Sequence, residues 1–439
     1  MLRILPLVAA IALGGCSALD SVFGAAETAP LPGERVSILQ QGNAVEPSEG
    51  VQGVVIRLPR PQRVAEWPQA GGYPDRAMHH LELSDEPRLV WSVSAGSGSS
   101  STTFLTAAPI VANGRVYTMD AYGQVSAFEA ATGRSLWRVD VTPADESSAV
   151  VAGGIAAAGG RVFVGSGYAE VLALDATTGQ VIWRVSATAP VRAAPAVFGD
   201  RLYVITAENQ TLALSASTGE RIWSHQGIQE TAGLLGGSSP ATDGSVVIAP
   251  YSSGEVVALR ADTGRVLWGD NLAAVRRQNA VAALSDIRGL PVIDRGLVYA
   301  VSHSGRTAAI DVRSGVRLWD RELGGQETVW VAGDWLFLVT AEAEVVALSR
   351  RDGQVRWVTR LPRWNDPDRR RGPITWTGPV LASDRLVLAG SNGEAVSLSP
   401  YTGEVTGVLR LPGATRVPPV VADGTLYILT DSATLVALR

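Results

Sequence analysis

A single cysteine, Cys16, stands in a chain of 439 residues. One cysteine excludes an internal disulfide framework. Histidine is nearly as scarce: the four are His79, His80, His225 and His303. His79 and His80 are adjacent, so only one easily faces a given site. None of the four has zinc-ligand spacing to another His or to Cys, which leaves surface or structural roles. Beyond the N-terminus no stretch approaches the ~18 uninterrupted apolar residues of a membrane-spanning helix. The formal net charge of −5 provides no overall positive field to attract nucleic acid. No phosphate-binding loop or nucleophile elbow is present. Gly (47) and Pro (24) are frequent but dispersed, as many turns require and as disorder does not.

The cysteine has a telling position. Residues 1–16 read MLRILPLVAAIALGGC. Arg3 is a short positive region, and Ile4–Leu13 is an apolar run too short to span a bilayer but suited to a signal-peptide core. Leu13-Gly14-Gly15-Cys16 then resembles the bacterial lipobox, in which small residues precede a cysteine that becomes the acylated first residue. The resemblance implies a signal peptide over 1–15 and lipidation at Cys16. Ser17, rather than Asp, follows the cysteine, which by resemblance to the enterobacterial sorting pattern implies the outer membrane.

From Ala107 onward one unit recurs, and its clearest copy is Gly154–Val185. Runs such as Arg161-Val162-Phe163-Val164 and Val171-Leu172-Ala173-Leu174 alternate with turn signals, which reads as antiparallel strands. The second-strand signal occurs eight times, from Val116-Tyr117 to Leu426-Tyr427, with Val246-Val247 as the fourth copy. The third-strand signal also occurs eight times, from Ala127-Phe128 to Ala437-Leu438, always with a small residue before a large one. A turn glycine and a tryptophan four residues later follow in six copies: Gly133/Trp137, Gly179/Trp183, Gly219/Trp223, Gly264/Trp268, Gly315/Trp319 and Gly353/Trp357. The glycines lie 38 to 51 residues apart, the length of a propeller blade. The seventh copy has Gly407 where tryptophan is due, which predicts a weaker outer seam.

The eighth copy ends at Arg439, after its third strand. Its missing fourth strand stands near the other end, in Pro87-Arg88-Leu89-Val90-Trp91. The fold class is therefore all-β, an eight-bladed β-propeller closed by pairing this N-terminal strand with the C-terminal blade. The propeller is assigned to 63–439, and 16–62, rich in Pro, Gly and polar residues, to the lipidated cysteine and a flexible tether. The closing seam should then lie near the tether, and Trp67–Gly72 along the outer rim. Arg369-Arg370-Arg371, in an insertion after Trp357, reads as a solvated loop or as a contact for an acidic partner or lipid headgroups.

The unit Ala-Leu-Asp-x-x-Thr-Gly-x-x-x-Trp, as in Ala173–Trp183, resembles the pyrroloquinoline-quinone repeat over about 65–439. Two families share it: quinoprotein alcohol dehydrogenases and the BamB lipoproteins of the outer-membrane β-barrel assembly machinery. The enzymes are longer and carry a calcium site, a catalytic aspartate and a cysteine pair, and no segment here matches those ligands. The lipobox and length favour the BamB family. That resemblance implies a non-catalytic scaffold without cofactor or metal, anchored in the outer membrane, facing the periplasm and bound to the barrel-forming subunit. The alternative is a quinone-dependent dehydrogenase; a third reading is a glycan- or peptide-binding propeller with a deep central pocket. Ala283–Pro291 resembles the family's Leu-Ser-Asp contact loop, and Leu234–Pro240 stands at the position of a second. By that resemblance Leu234, Leu235, Asp286 and Arg288 are the partner-binding residues. Arg288 replaces an acidic residue of the family pattern, and Leu235 replaces an arginine. Both loops precede first strands, so both should lie on one face.

Overall fold

The protein is described by a computed structural model in which residues 45–146, 153–230, 236–273, 286–303 and 305–439 are placed. Val45–Arg439 forms one unit built from eight four-stranded antiparallel sheets, the blades of a β-propeller. Blade 1 covers 110–140, blade 2 154–186, blade 3 196–226 and blade 4 241–271. Blade 5 covers 292–321, blade 6 330–360 and blade 7 376–410. Blade 8 has strands 420–422, 425–429 and 434–438, and its outermost strand is Leu89–Ser94. The two ends of the chain are thus hydrogen-bonded neighbours: Trp91 pairs with Ala437. Arg88 and Arg439 exchange backbone hydrogen bonds of 2.8 and 2.9 Å. The closure read from the sequence is the one observed.

The small residue of each third strand has a specific task. In blade 1 Tyr117, Ala127 and Trp137 lie opposite one another on three successive strands. Alanine leaves room above itself, so the tyrosine and indole rings meet with centroids 5.8 Å apart. The same row recurs as Phe163-Ala173-Trp183, Tyr203-Ala213-Trp223, Tyr299-Ala309-Trp319, Phe337-Ala347-Trp357 and Tyr427-Ala437-Trp91. Blade 4 holds Ile248 at the first position, one residue later than the Val246-Val247 signal placed it.

Each indole also closes the seam to the next blade. The Nε1–H of Trp223 donates to the Ala261 carbonyl at 3.0 Å, and that of Trp137 donates to Ala176 at 3.2 Å. The ring then covers the glycine of the next blade's outer turn. Gly264 has φ +69, and a Cβ there would stand 2.6 Å from the Trp223 ring. The position therefore requires glycine twice over, for its left-handed backbone and for its closeness to the indole. Seven seams are closed in this way, that of blade 8 by Trp91 over Gly133. The exception is the seam from blade 7 to blade 8. Gly407 pairs with Ser397 and has open space beside it. Blade 8 has no covalent turn between its third and fourth strands, because 434–438 and 89–94 are not consecutive in the chain. An indole at position 407 would have no turn to cover.

Two expectations about the N-terminal stretch are corrected. Residues 45–62, read as part of a 16–62 tether, pack on the propeller. The Ser48 N–H donates to the Val355 carbonyl on the outer strand of blade 6 at 2.7 Å, and Arg356 Nε donates to the Val54 carbonyl at 2.8 Å. Val51 and Ile56 are buried, and two such apolar side chains in a polar run set no periodicity that a sequence reading could catch. The chain thus docks on blade 6, two blades from the closing seam in blade 8 and not beside it. Residues 1–44, on which the signal-peptide and Cys16 lipidation expectations fall, lie outside the described residues.

The second correction concerns Trp67–Gly72, which lies across the propeller axis and not on the outer rim. The segment from Val64 to Leu81 visits the innermost strand of every blade in turn. Backbone N–H groups of Asp423, Val111, Ala157, Thr242 and Ile293 donate to the carbonyls of Val64, Trp67, Pro68, Pro74 and Asp75, serving blades 8, 1, 2, 4 and 5. The Gln69 amide both donates to and accepts from Val197 of blade 3, at 2.8 and 2.9 Å. Trp330 Nε1–H of blade 6 donates to the His79 carbonyl at 2.6 Å, and Leu81 exchanges bonds with Leu381 and Ser383 of blade 7. Inner strands of a propeller have one unpaired edge facing the axis, and this segment supplies partners there. Trp67 is buried and stacks on Trp330 at 6.1 Å.

The seam geometry sets an order of stability effects. Trp223→Ala removes a buried indole and its hydrogen bond and should cost about 3–5 kcal/mol. Gly264→Ala should cost more than ~1 kcal/mol, through strain and collision with the ring. Gly407→Ala should stay within about 0.5 kcal/mol of the parent. Urea unfolding of the three variants measures this; equal losses at Gly264 and Gly407 would contradict the assigned role of the seam.

Candidate functional site

The axial segment closes the channel at one end only. Its contacts fall near the ends of the inner strands that lead into the hairpin turns. At the opposite end the loops that enter those strands surround a blind well. Ala70 and Gly71 form its floor. Its wall comes from Thr106–Ala108, Gly153–Ile155, Arg192–Ala194, Gly236–Ser239, Arg288, Leu290, Gln326–Thr328 and Arg416–Pro418. The cavity measures about 110 Å³. A second, lateral cleft of about 220 Å³ opens between blades 3 and 4, lined by Arg192, Asn209, Glu230, Ser252, Asp286 and neighbours.

The loops at the mouth are joined from blade to blade. Ser238 Oγ donates to the Gly289 carbonyl at 3.1 Å, and the Leu290 N–H donates to Thr328 Oγ1 at 3.1 Å. The Gly378 N–H donates to Glu327 Oε2 at 3.2 Å. Gly289 itself lies so close to Glu327 that a Cβ would stand 2.5 Å from the Glu327 carbonyl oxygen. A tie therefore runs through blades 4, 5, 6 and 7 at this face.

Of the four residues taken from the family resemblance, only Asp286 and Arg288 are among the described residues, and these two line different cavities. Leu234 and Leu235 lie outside the described residues. Asp286 is buried at 6% exposure and lines the lateral cleft, while Arg288, two residues on, lines the axial well. They are linked indirectly. The Asp286 carbonyl accepts from the His303 N–H at 2.9 Å. His303 Nδ1 lies 3.2 Å from Gln326 Nε2, and Gln326 Oε1 accepts from Arg288 at 2.9 Å. With Oε1 occupied by the guanidinium, Nε2 donates to the ring, so the neutral imidazole carries its proton on Nε2. Burial lowers the His303 pKa and favours that neutral form. His303 and Glu327, functional parts of this network, carried no motif in the sequence. His80 is structural, its Nδ1 2.7 Å from the Pro59 carbonyl and its Nε2 accepting from the Asp384 N–H.

Glu327 is the single carboxylate of the well lining. Protein atoms crowd it on all sides, although water reaches it along the channel. That burial pushes its carboxyl from 4.5 up to about 7, against the opposing pull of Arg288 and the Gly378 N–H. Between those values the folded protein holds a proton that the unfolded chain has lost. This group therefore withdraws stability as pH rises from 4.5 to about 7, and its effect is level above that. Glu327→Gln should raise the melting temperature at about pH 8 and leave it nearly unchanged at about pH 4.5. Thermal melts of both proteins at both pH values check this, and equal shifts at the two would refute the assigned titration.

The well does not fit a quinone with its calcium ion. Pockets enclosing a drug-sized ligand occupy roughly 300–1,000 Å³, and its lining offers one carboxylate against three guanidinium groups. Among the described residues no three His, Cys, Asp or Glu side chains are grouped as a metal site.

Comparisons with known proteins agree with the fold and specify the family. A BamB of Salmonella typhimurium is 30% identical over 206 residues, 47% of this chain and 50% of that protein. The Escherichia coli K12 protein is 28% identical over the same length. The matched region thus spans about half the length of these relatives. The crystal structure of BamB from Moraxella catarrhalis superposes with a TM-score of 0.68 at 20% identity, covering 80% of this chain and 99% of that one. A quinohemoprotein alcohol dehydrogenase from Comamonas testosteroni reaches 0.66 at 15% identity, over 86% and 81% of the two chains, which shows a shared fold. The family described as outer membrane protein assembly factor BamB matches residues 83–151 and 121–359, well over half of the chain, and the protein belongs to that family.

Proposed function

We propose that the protein is a non-catalytic scaffold of the outer-membrane β-barrel assembly machinery. It holds the periplasmic domains of the barrel-forming subunit and aids insertion of outer-membrane proteins. Family membership carries this reading. The one-sided architecture supports it: the axial segment seals one face and leaves the entry loops of the blades around an open well at the other. The acyl chain at Cys16 anchors the protein in the outer membrane on the periplasmic side. Each buried acyl CH2 contributes about 0.8 kcal/mol, and a stable anchor takes more than one chain.

Within the contact, Leu234 and Leu235 supply apolar anchoring. Asp286 is buried, so its part is to hold its loop, while Arg288 presents charge at the mouth of the well. Pull-down with the periplasmic domains of the barrel-forming subunit should weaken by about tenfold or more for Leu235→Ala, and also for Asp286→Ala. Unchanged binding in both would overturn the site assignment. Cys16→Ala should abolish palmitate incorporation and release the protein from the membrane fraction; retention there would remove the anchor.

A further inference from the structure

We propose that the axial well is a carboxylate-binding site, with Arg192 and Arg288 receiving the anion. The reading goes beyond the scaffold role and does not depend on it. Three guanidinium groups line the well, from the entry loops of blades 3, 5 and 8. Arg416 is committed, because it is ion-paired with Asp431. Arg288 spends one N–H on Gln326 and keeps the rest of its five donors. Arg192 is exposed at the lip where the well meets the lateral cleft, and among the described residues it has no hydrogen-bond or ion-pair partner.

The charge balance favours an anion. Arg416 and Asp431 cancel, and within the well Glu327 alone stands beside Arg288 and Arg192, with Glu230 and Asp286 in the adjoining cleft. Burial drives that carboxyl toward its neutral form, so the positive charge of the well is incompletely matched near neutral pH. Cationic groups in a confined, partly desolvated space gain more from an arriving anion than the same groups on an open surface.

Shape narrows the ligand. Much of the wall is small: Ala107, Gly154, Ala193 and Gly236 bring backbone close to the axis. At Gly154 a Cβ would stand 2.7 Å from Ala194, so packing alone keeps that side of the well bare. A cavity of about 110 Å³ admits a carboxylate and the short chain that bears it. No aromatic side chain lines it for a sugar face to rest on. The blind floor at Ala70 and Gly71 suits a terminal group that enters end-on. That group is either the C-terminus of an extended peptide or a small free carboxylate.

Calorimetric titration of the purified full-length protein tests this with three probes: N-acetyl-triglycine, its C-terminal amide, and glutarate. The acid should bind saturably, with Kd on the order of 1 mM, and the amide at least about tenfold more weakly. Arg192→Ala and Arg288→Ala should each weaken the acid by about tenfold with unchanged melting temperature, and Arg371→Ala should have no effect. Glu327→Gln should tighten binding several-fold, a gain that misfolding cannot produce. Glutarate binding with the same arginine dependence assigns the site to carboxylates in general, and its failure to bind assigns it to peptide termini. Equal affinity for acid and amide, no loss on Arg192→Ala, or no saturable binding of either carboxylate would overturn the proposal.

Discussion

The inner edges of eight sheets cannot be left facing one another across an axis without partners. Everything particular about this propeller follows from how that constraint is met. Segment 64–81 crosses the axis and takes hydrogen bonds from the innermost strand of each blade. Each such bond contributes only about 0.5–1.5 kcal/mol net, but an unpaired buried backbone group costs about 1–3 kcal/mol. The segment therefore acts more by removing penalties than by adding contacts. It also makes the two faces unequal. One becomes a sealed floor, and the other a ring of loops around a blind well.

The outer circumference is governed by a different repeated contact. An indole lies over alanine within its own blade and over glycine in the next, with its N–H on a neighbouring carbonyl. This explains why three residue types recur in fixed order: a small one to admit the ring, a ring to span the seam, and a glycine to be covered. The lapse in the pattern occurs where the covalent chain is interrupted. Gly407 and the missing blade 8 turn meet at the same seam, where an indole would find no turn glycine to cover. Inner packing still joins these blades, since Thr377 Oγ1 of blade 7 donates to the Val417 carbonyl at 3.2 Å.

The repeat was legible because its spacing survives in the primary sequence. Eight Ala-Leu-type pairs, the Gly-Trp spacing and the stray strand near Trp91 were enough to give blade number and closure. The axial segment was not legible. Its bonds use mainly backbone groups, with the Gln69 amide, the Arg76 guanidinium and the Trp330 indole as isolated side-chain partners that set no repeating signature, and each contact spans tens to hundreds of positions. Asp286 and Arg288 could be placed on one loop from sequence, but not in separate cavities. Residues two apart point the same way on an extended strand, and 286–288 are not part of a strand.

That separation alters what a loss at Asp286 would mean. A buried residue gives a partner little surface to touch, whereas a guanidinium at the mouth of a well is accessible. The Asp286 backbone carbonyl takes only the His303 backbone N–H, while the His303 ring meets Gln326 and Gln326 meets Arg288. Arg288 owes its orientation to the Gln326 carbonyl oxygen, and Gln326 owes its orientation to a neutral His303. The burial that keeps His303 neutral therefore also fixes where the charge at the channel mouth points. The charge that an arriving group meets is therefore that of Arg288.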